Sequence, residues 1–196
     1  EENSALEMAV ALAEEKGADL VMATDPDADR VGIAIRDNEG KITLLNGNQT
    51  ASILTYYLLR RWKELGKLNE NTYIVKTIVT TELMAAMAKA YGIKYYNVLT
   101  GFKYIASVIR ENEGKATFIG GGEESYGYNV GEFVRDKDAV ITCAMVAECA
   151  AWCAEQGKTL YQLLQDIYAE FGMYKESLIS LTKKGKAGLE EIQAMM

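Results

Sequence analysis

Apolar positions change their spacing several times along the chain. Leu6, Ala9, Val10 and Ala13 recur at helical intervals, and the turn in "KGAD" leads into the apolar run "LVMAT", a helix followed by a short buried strand. After an acidic loop come "VGIAI", the turn "DNEG" and "KITLL", which read as two further strands. "NGNQTASILTYYLLRRWKELG" reads as a long amphipathic helix with Asn48 or Thr50 as its cap and Gly66 just past its end. Leu45 to Asn48 is the expected domain boundary. Strands and helices then alternate: strand "TYIVKTI", helix "TTELMAAMAKAYG", strand "KYYNVL", helix "GFKYIASVIREN", strand "KATFIG". A long buried helix, "KDAVITCAMVAECAAWCAEQG", and the helix "TLYQLLQDIYAEFG" follow, and the tail predicts one strand and one helix. This β-α-β-α-β order predicts an α/β domain with a largely parallel sheet. Ligands of such sheets bind outside the carboxyl ends of the strands, here the loops after Ile78, Leu99 and Gly120.

The 196 residues have room for one large domain, or one domain with pieces of its neighbours. A net charge of -7 argues against a nucleic-acid surface, which needs a basic patch. No apolar run approaches the roughly 18 residues of a membrane span, and "EENSALEMA" lacks the basic and apolar regions of a signal peptide. Cys143, Cys149 and Cys153 share one apolar segment, with Cys149 and Cys153 on one helical face, so they read as reduced, packed thiols of a cytoplasmic protein. There is no histidine, which excludes imidazole acid–base chemistry and ligation within these residues. The single proline, Pro26, lies in the acidic loop.

That loop, "TDPDADR", places Asp25, Asp27 and Asp29 at alternating positions. Pro26 keeps Asp25 out of the helical region, and in extended chain alternate residues point to one side. Neighbours there lie about 6.6 Å apart, so a slight curl brings three carboxylates onto one ion. Oxygen ligands alone suit Mg²⁺, Mn²⁺ or Ca²⁺ and leave positions for water or a phosphate oxygen, as phosphoryl transfer requires. An EF-hand needs Gly and Glu where Arg30 and Arg36 stand, so that reading fails. A haloacid-dehalogenase motif meets Asp29 at its fifth position. The plain alternative is a polar turn whose aspartates cap backbone amides.

"TDPDADR" resembles the metal-binding loop of the α-D-phosphohexomutases, the phosphoglucomutase and phosphomannomutase superfamily. "GGGEESYGY", residues 120 to 128, is similar to that family's sugar-binding loop, and "VKT", "TGFKYI" and "VRDKDA" fall in the family's order around it. The resemblance implies a three-layer α/β/α domain with a mostly parallel mixed sheet, plus partial flanking domains. Residues 1–44 would end the family's second domain, 45–172 would be its third, and 173–196 would enter its fourth. The implied reaction moves a phosphoryl group between O1 and O6 of a hexose phosphate, through a phosphoserine and glucose 1,6-bisphosphate.

Carried over by position, Asp25, Asp27 and Asp29 would hold Mg²⁺ (or Mn²⁺), with Arg30 beside a phosphate. Lys103 would transfer a proton or contact phosphate. Glu123 and Ser125 would bind sugar hydroxyls, with Gly120, Gly121 and Gly122 permitting the turn that exposes them. Glu123 is expected to contribute little packing. Lys76, Arg135 and Lys137 would face the substrate, and Asp136 or Asp138 would cap the next helix. The family's serine beside His-Asn-Pro and its proline-ended phosphate loop have no counterpart here. The chain is therefore expected to be a fragment, inactive without its missing domains. "GEESYG" with "GFK" resembles the phosphoglucomutase branch. Mannose, pentose and amino-sugar mutases, or a non-catalytic metal and sugar-phosphate module, are the alternatives.

Overall fold

The computed structural model describes residues 3–177 and 185–195. Helix α1 (Asn3–Lys16) precedes β1 (Leu20–Thr24), β2 (Val31–Arg36) and β3 (Ile42–Leu45). These strands form an antiparallel sheet in the order β1-β2-β3. Then come α2 (Gly47–Glu64), β4 (Thr72–Thr77), α3 (Leu83–Ala90), β5 (Lys94–Val98), α4 (Phe102–Glu111), β6 (Thr117–Gly122) and β7 (Tyr128–Val130). The second sheet has the order β5-β4-β6-β7, with β4 parallel to β5 and β6, and β7 antiparallel to β6. It is the mostly parallel mixed sheet expected. Helices α5 (Ala139–Glu155), α6 (Leu160–Phe171) and α7 (Gly185–Met195) complete the chain. The expected tail strand falls largely on residues outside those described; the tail helix is α7.

Three layers follow from side-chain alternation on β4, which is buried on both faces and therefore reads as one apolar run. Tyr73 and Val75 face α4 through Phe102, Ile105 and Ile109. Ile74 faces the opposite way, into the core shared with α2, α3, α5 and α6. Strand β2 divides its residues similarly: Val31, Ile33 and Ile35 join that large core, while Ala34 packs with Ala13, Val21 and Ile42 under α1. The apolar core is thus continuous across residue 45. Among the described residues, no helix is long and apolar enough to cross a membrane.

Several local expectations change. Helix α2 is capped by Asn46, not by Asn48 or Thr50: Asn46 accepts from the Gln49 amide while the Gln49 side chain accepts from the Asn46 amide. Helix α5 is not buried all round. Its buried stripe is Ala139, Thr142, Val146, Cys149 and Cys153, while Val140 is 69% exposed. Cys149 and Cys153 do share the inner face. Strand β7 was not anticipated.

Candidate active site

The carboxyl ends of β4, β5 and β6 and the loop between β1 and β2 meet at one place. In the β1–β2 loop, oxygens of Asp25, Asp27 and Asp29 all lie within 4.8 Å of one another. The curl that brings them together has two causes. Ala28 takes a left-handed φ of 55°, uncommon for a residue with a Cβ, and its amide donates to Asp25 O at 3.0 Å. Asp25 Oδ1 accepts from the amides of Arg30 (3.0 Å) and Asp29 (3.1 Å). The Arg30 amide, with the Asp29 amide adding to it, holds the Asp25 carboxyl below its ordinary value.

Two cations border this cluster. Arg30 Nε lies 3.6 Å from Asp29 Oδ1. Lys137 Nζ lies 2.8 Å from Asp29 Oδ2 and 3.4 Å from Asp136 Oδ1, and 5.3 Å from the centre of the Phe102 ring. Burial would lower the Lys137 pKa, but the Asp29 and Asp136 carboxylates outweigh it and raise it. The Lys137 stem lies against Gly127, where an added Cβ would come within 2.2 Å of Lys137 Cδ. Asp138, not Asp136, caps α5 by accepting from the Ile141 amide at 3.0 Å.

The acidic loop is spliced to the loop after β6. Arg30 and Gly127 form an antiparallel bridge, and the Val31 amide donates to Tyr126 O at 3.2 Å. Tyr126, itself at φ 70°, borders a cavity of about 400 Å³ with Asp25, Pro26 and Arg30. It also borders one of about 480 Å³ with Thr100 and Glu124. Gly120, Gly121 and Gly122 belong to β6 and not to a turn. They are needed for close approach: a Cβ on Gly121 would stand 2.1 Å from Val75 O, and one on Gly122 2.5 Å from Gly127 O. Glu123, expected to contribute little packing, is 7% exposed, and its Oε1 accepts from the Gly101 amide at 3.0 Å. Ser125 is half-buried beside it.

The predicted lysines and arginines separate. Lys137 and Arg30 join the aspartates. Lys76 is fully buried, and its Nζ donates to Thr77 O (3.0 Å), Thr80 O (2.9 Å) and Asn97 Oδ1 (3.3 Å) and pairs with Glu82 at 2.8 Å. Lys103 is exposed at the start of α4, its Nζ 5.0 Å from the centre of the Tyr104 ring. Arg135 pairs with Glu113 at 2.6 Å, beyond the far end of α4. Sequence reasoning missed the Gly101 amide, Phe102 beneath Lys137, and Glu124, which meets Thr77 and Thr80. The doubled glutamate of "GGGEESYGY" was the available signal for the last.

An oxygen-only donor set gathered this closely, with open cavity beside it, fits a hard divalent cation. Residues 46–171 match the model of phosphoglucomutase/phosphomannomutase alpha/beta/alpha domain III, and residues 1–40 match that of domain II. The phosphoglucomutase of Staphylococcus aureus is 40% identical over all 196 residues, which span 35% of that protein's length. Among solved structures, the provisionally named phosphomannomutase of Thermus thermophilus superposes with a TM-score of 0.70 at 24% identity, covering 87% of this chain and 35% of that one. A phosphoglucomutase/phosphomannomutase family protein of Burkholderia thailandensis gives a TM-score of 0.64 at 19% identity, covering 84% of this chain and 32% of that one. These likenesses carry the same α/β/α fold, and the sequence match extends over both acidic loops; the chain belongs to the phosphoglucomutase/phosphomannomutase family.

Proposed function

We propose that these residues are the central part of a Mg²⁺-dependent phosphoglucomutase, which interconverts hexose 1-phosphate and hexose 6-phosphate through a phosphoserine and a bisphosphorylated sugar. The observation that carries this reading is the splice between Arg30 and Gly127, which sets the three-aspartate cluster beside the loop of Glu123 and Ser125. Asp25, Asp27 and Asp29 would hold the cation, which supplies neutralisation of negative charge at a phosphate. Arg30 and Lys137 border that cluster and add fixed positive charge where phosphate oxygens would lie. Glu123 has one carboxylate oxygen committed to Gly101 and the other available to accept from neighbouring sugar hydroxyls. Lys137, with its raised pKa, is a phosphate contact and not a base at neutral pH. Residues 1–44, 45–172 and 173–196 are proposed as the end of one domain, a whole domain and the start of a third.

A coupled assay for glucose 6-phosphate tests the reading in the full-length protein, with glucose 1-phosphate, Mg²⁺ and a bisphosphate primer. Turnover is expected, and it should collapse in Asp27→Ala and fall in Glu123→Ala. Residues 1–196 alone should give none, because phosphoryl transfer depends on positioning donor and acceptor together. Metal-independent turnover, or none with any hexose or pentose phosphate, would overturn the proposal. Faster turnover of mannose 1-phosphate would move it to the phosphomannomutase branch.

A further inference from the structure

The paired glutamates after β6, the second of them in the turn that follows, reach two different loops. Glu123 Oε1 takes the Gly101 amide, at the start of α4. Glu124 Oε2 accepts from Thr77 Oγ1 at 3.2 Å and Thr80 Oγ1 at 3.3 Å, in the loop after β4. Both threonines are buried, and their hydroxyls lie 2.7 Å apart. Beneath them Lys76 gathers Thr77 O and Thr80 O onto one ammonium, which sets the turn that presents the two hydroxyls. On the other side, Glu124 O lies 2.0 Å from where a Cβ on Gly47 would be, so α2 abuts the loop backbone.

Resting on the reading of Glu123 as a sugar ligand, we infer that Glu124 is a positioning residue. By holding the loop onto Thr77 and Thr80, it fixes which Glu123 oxygen is committed to Gly101 and which faces the sugar. The fold does not depend on it in the same way. Without Glu124, Thr77 Oγ1 can donate to Thr80 Oγ1 at 2.7 Å and Thr80 Oγ1 to Gly122 O at 3.5 Å, so neither buried donor is stranded. Loss of Glu124 should therefore appear in substrate recognition more than in stability.

The test uses the full-length protein with Glu124→Ala and Glu124→Gln, each alone and combined with Glu123→Ala. Kinetics on the hexose 1-phosphate are measured alongside amide hydrogen exchange at Gly101. Glu124→Ala should lower kcat/KM about tenfold, mostly through KM, while Glu124→Gln, which keeps an acceptor oxygen, stays within about threefold. In the Glu123→Ala background, Glu124→Ala should change kcat/KM less than about twofold, because the two act as one unit. Exchange at Gly101 should quicken in Glu124→Ala and not in Glu124→Gln. Equal losses from Glu124→Ala in both backgrounds, or unchanged exchange at Gly101, would overturn the inference. If the wild type has no mutase turnover, the proposed function fails, and the Gly101 amide alone decides whether Glu124 holds Glu123 in place.

Discussion

The loop between β1 and β2 brings three carboxylates together, oxygens within 4.8 Å, with Lys137 and Arg30 at their border. The loop after β6 sends two neighbouring carboxylates apart, each to donors of the protein itself: the Gly101 amide for Glu123 and two threonine hydroxyls for Glu124. Converging carboxylates repel one another and favour a bound cation. Diverging, hydrogen-bonded carboxylates brace the chain as it stands. One loop is thus arranged to receive a cation, while the other is braced by donors of the protein itself and, under the proposed function, keeps one Glu123 oxygen for the sugar.

The sharpest way to break this contrast is Asp27→Asn in the full-length protein. Turnover should fall by about a hundredfold or more, since charge stabilisation at a phosphate is lost, while thermal stability in EDTA stays equal or rises. A fall in metal-free stability would show that the aspartates brace the loop as the glutamates brace theirs. Next in size is Lys76→Met, which takes the ammonium donor from the buried Thr80 carbonyl and leaves Thr77 O with the Thr80 amide alone. Denaturant unfolding should show a loss of about 3 kcal/mol, with metal affinity unchanged by calorimetry.

Two glycines sharpen the comparison further. A methyl group on Gly47 meets the backbone oxygen of Glu124 at 2.0 Å, and neither chain can yield. Gly47→Ala should therefore cost about 1–3 kcal/mol. A methyl group on Gly127 meets only the Lys137 stem, which can swing away. Gly127→Ala should cost less than about 1 kcal/mol but release Asp29 from Lys137, so that Mg²⁺ binding measured by calorimetry changes where stability barely does.

The smallest effects lie at the pH extremes. Arg36 holds Glu14 below its ordinary value, and the Lys41 amide does the same for Asp37, both in the three-stranded part. Their stabilisation is present above about pH 4 and is lost as pH falls through the depressed folded values. All twelve tyrosines follow residue 45. Burial, with Glu170 adding to it, pushes Tyr56 up to about 12, and burial raises Tyr57 and fully enclosed Tyr128 further. Their stabilisation is complete below about pH 10 and is lost as pH rises through the raised values. Hydrogen exchange should find β1–β3 opening first in acid. Tyrosinate absorbance should show these buried phenols ionising together with unfolding in alkali.

Much of this fold was legible because apolar runs and helical stripes are local signals. The three parallel strands of the second sheet, its helices and the aspartate cluster follow from residues a few positions apart, whereas the short β7 gave no such signal. The misreadings share another origin. Asn46 and Asn48 are equally good caps by type, and only the reciprocal bond to Gln49 separates them. The run "GGG" suggests freedom, whereas the packing of β6 between Val75 and Tyr128 uses the glycines for closeness. Helix α5 is rich in Ala and Cys, which suit either a core or a surface, so its single buried stripe was hidden. Glu124 and its threonines are separated by 44 and 47 positions, a distance at which one sequence carries no pairing signal. For the same reason, no spacing rule showed that Lys137, and not Lys103, turns to Asp29.

The bridge between Arg30 and Gly127 also has a mechanical meaning. It joins the loop leading into β2 to the loop after β6 at the point where the two acidic segments face each other, and the Val31 amide and the large common core back it. The two segments therefore move as a single jaw: spreading them would mean tearing main-chain hydrogen bonds and opening packed interior, not flexing a linker. Under the proposed function, a bound sugar phosphate would therefore meet the metal loop and the sugar loop as one fixed surface.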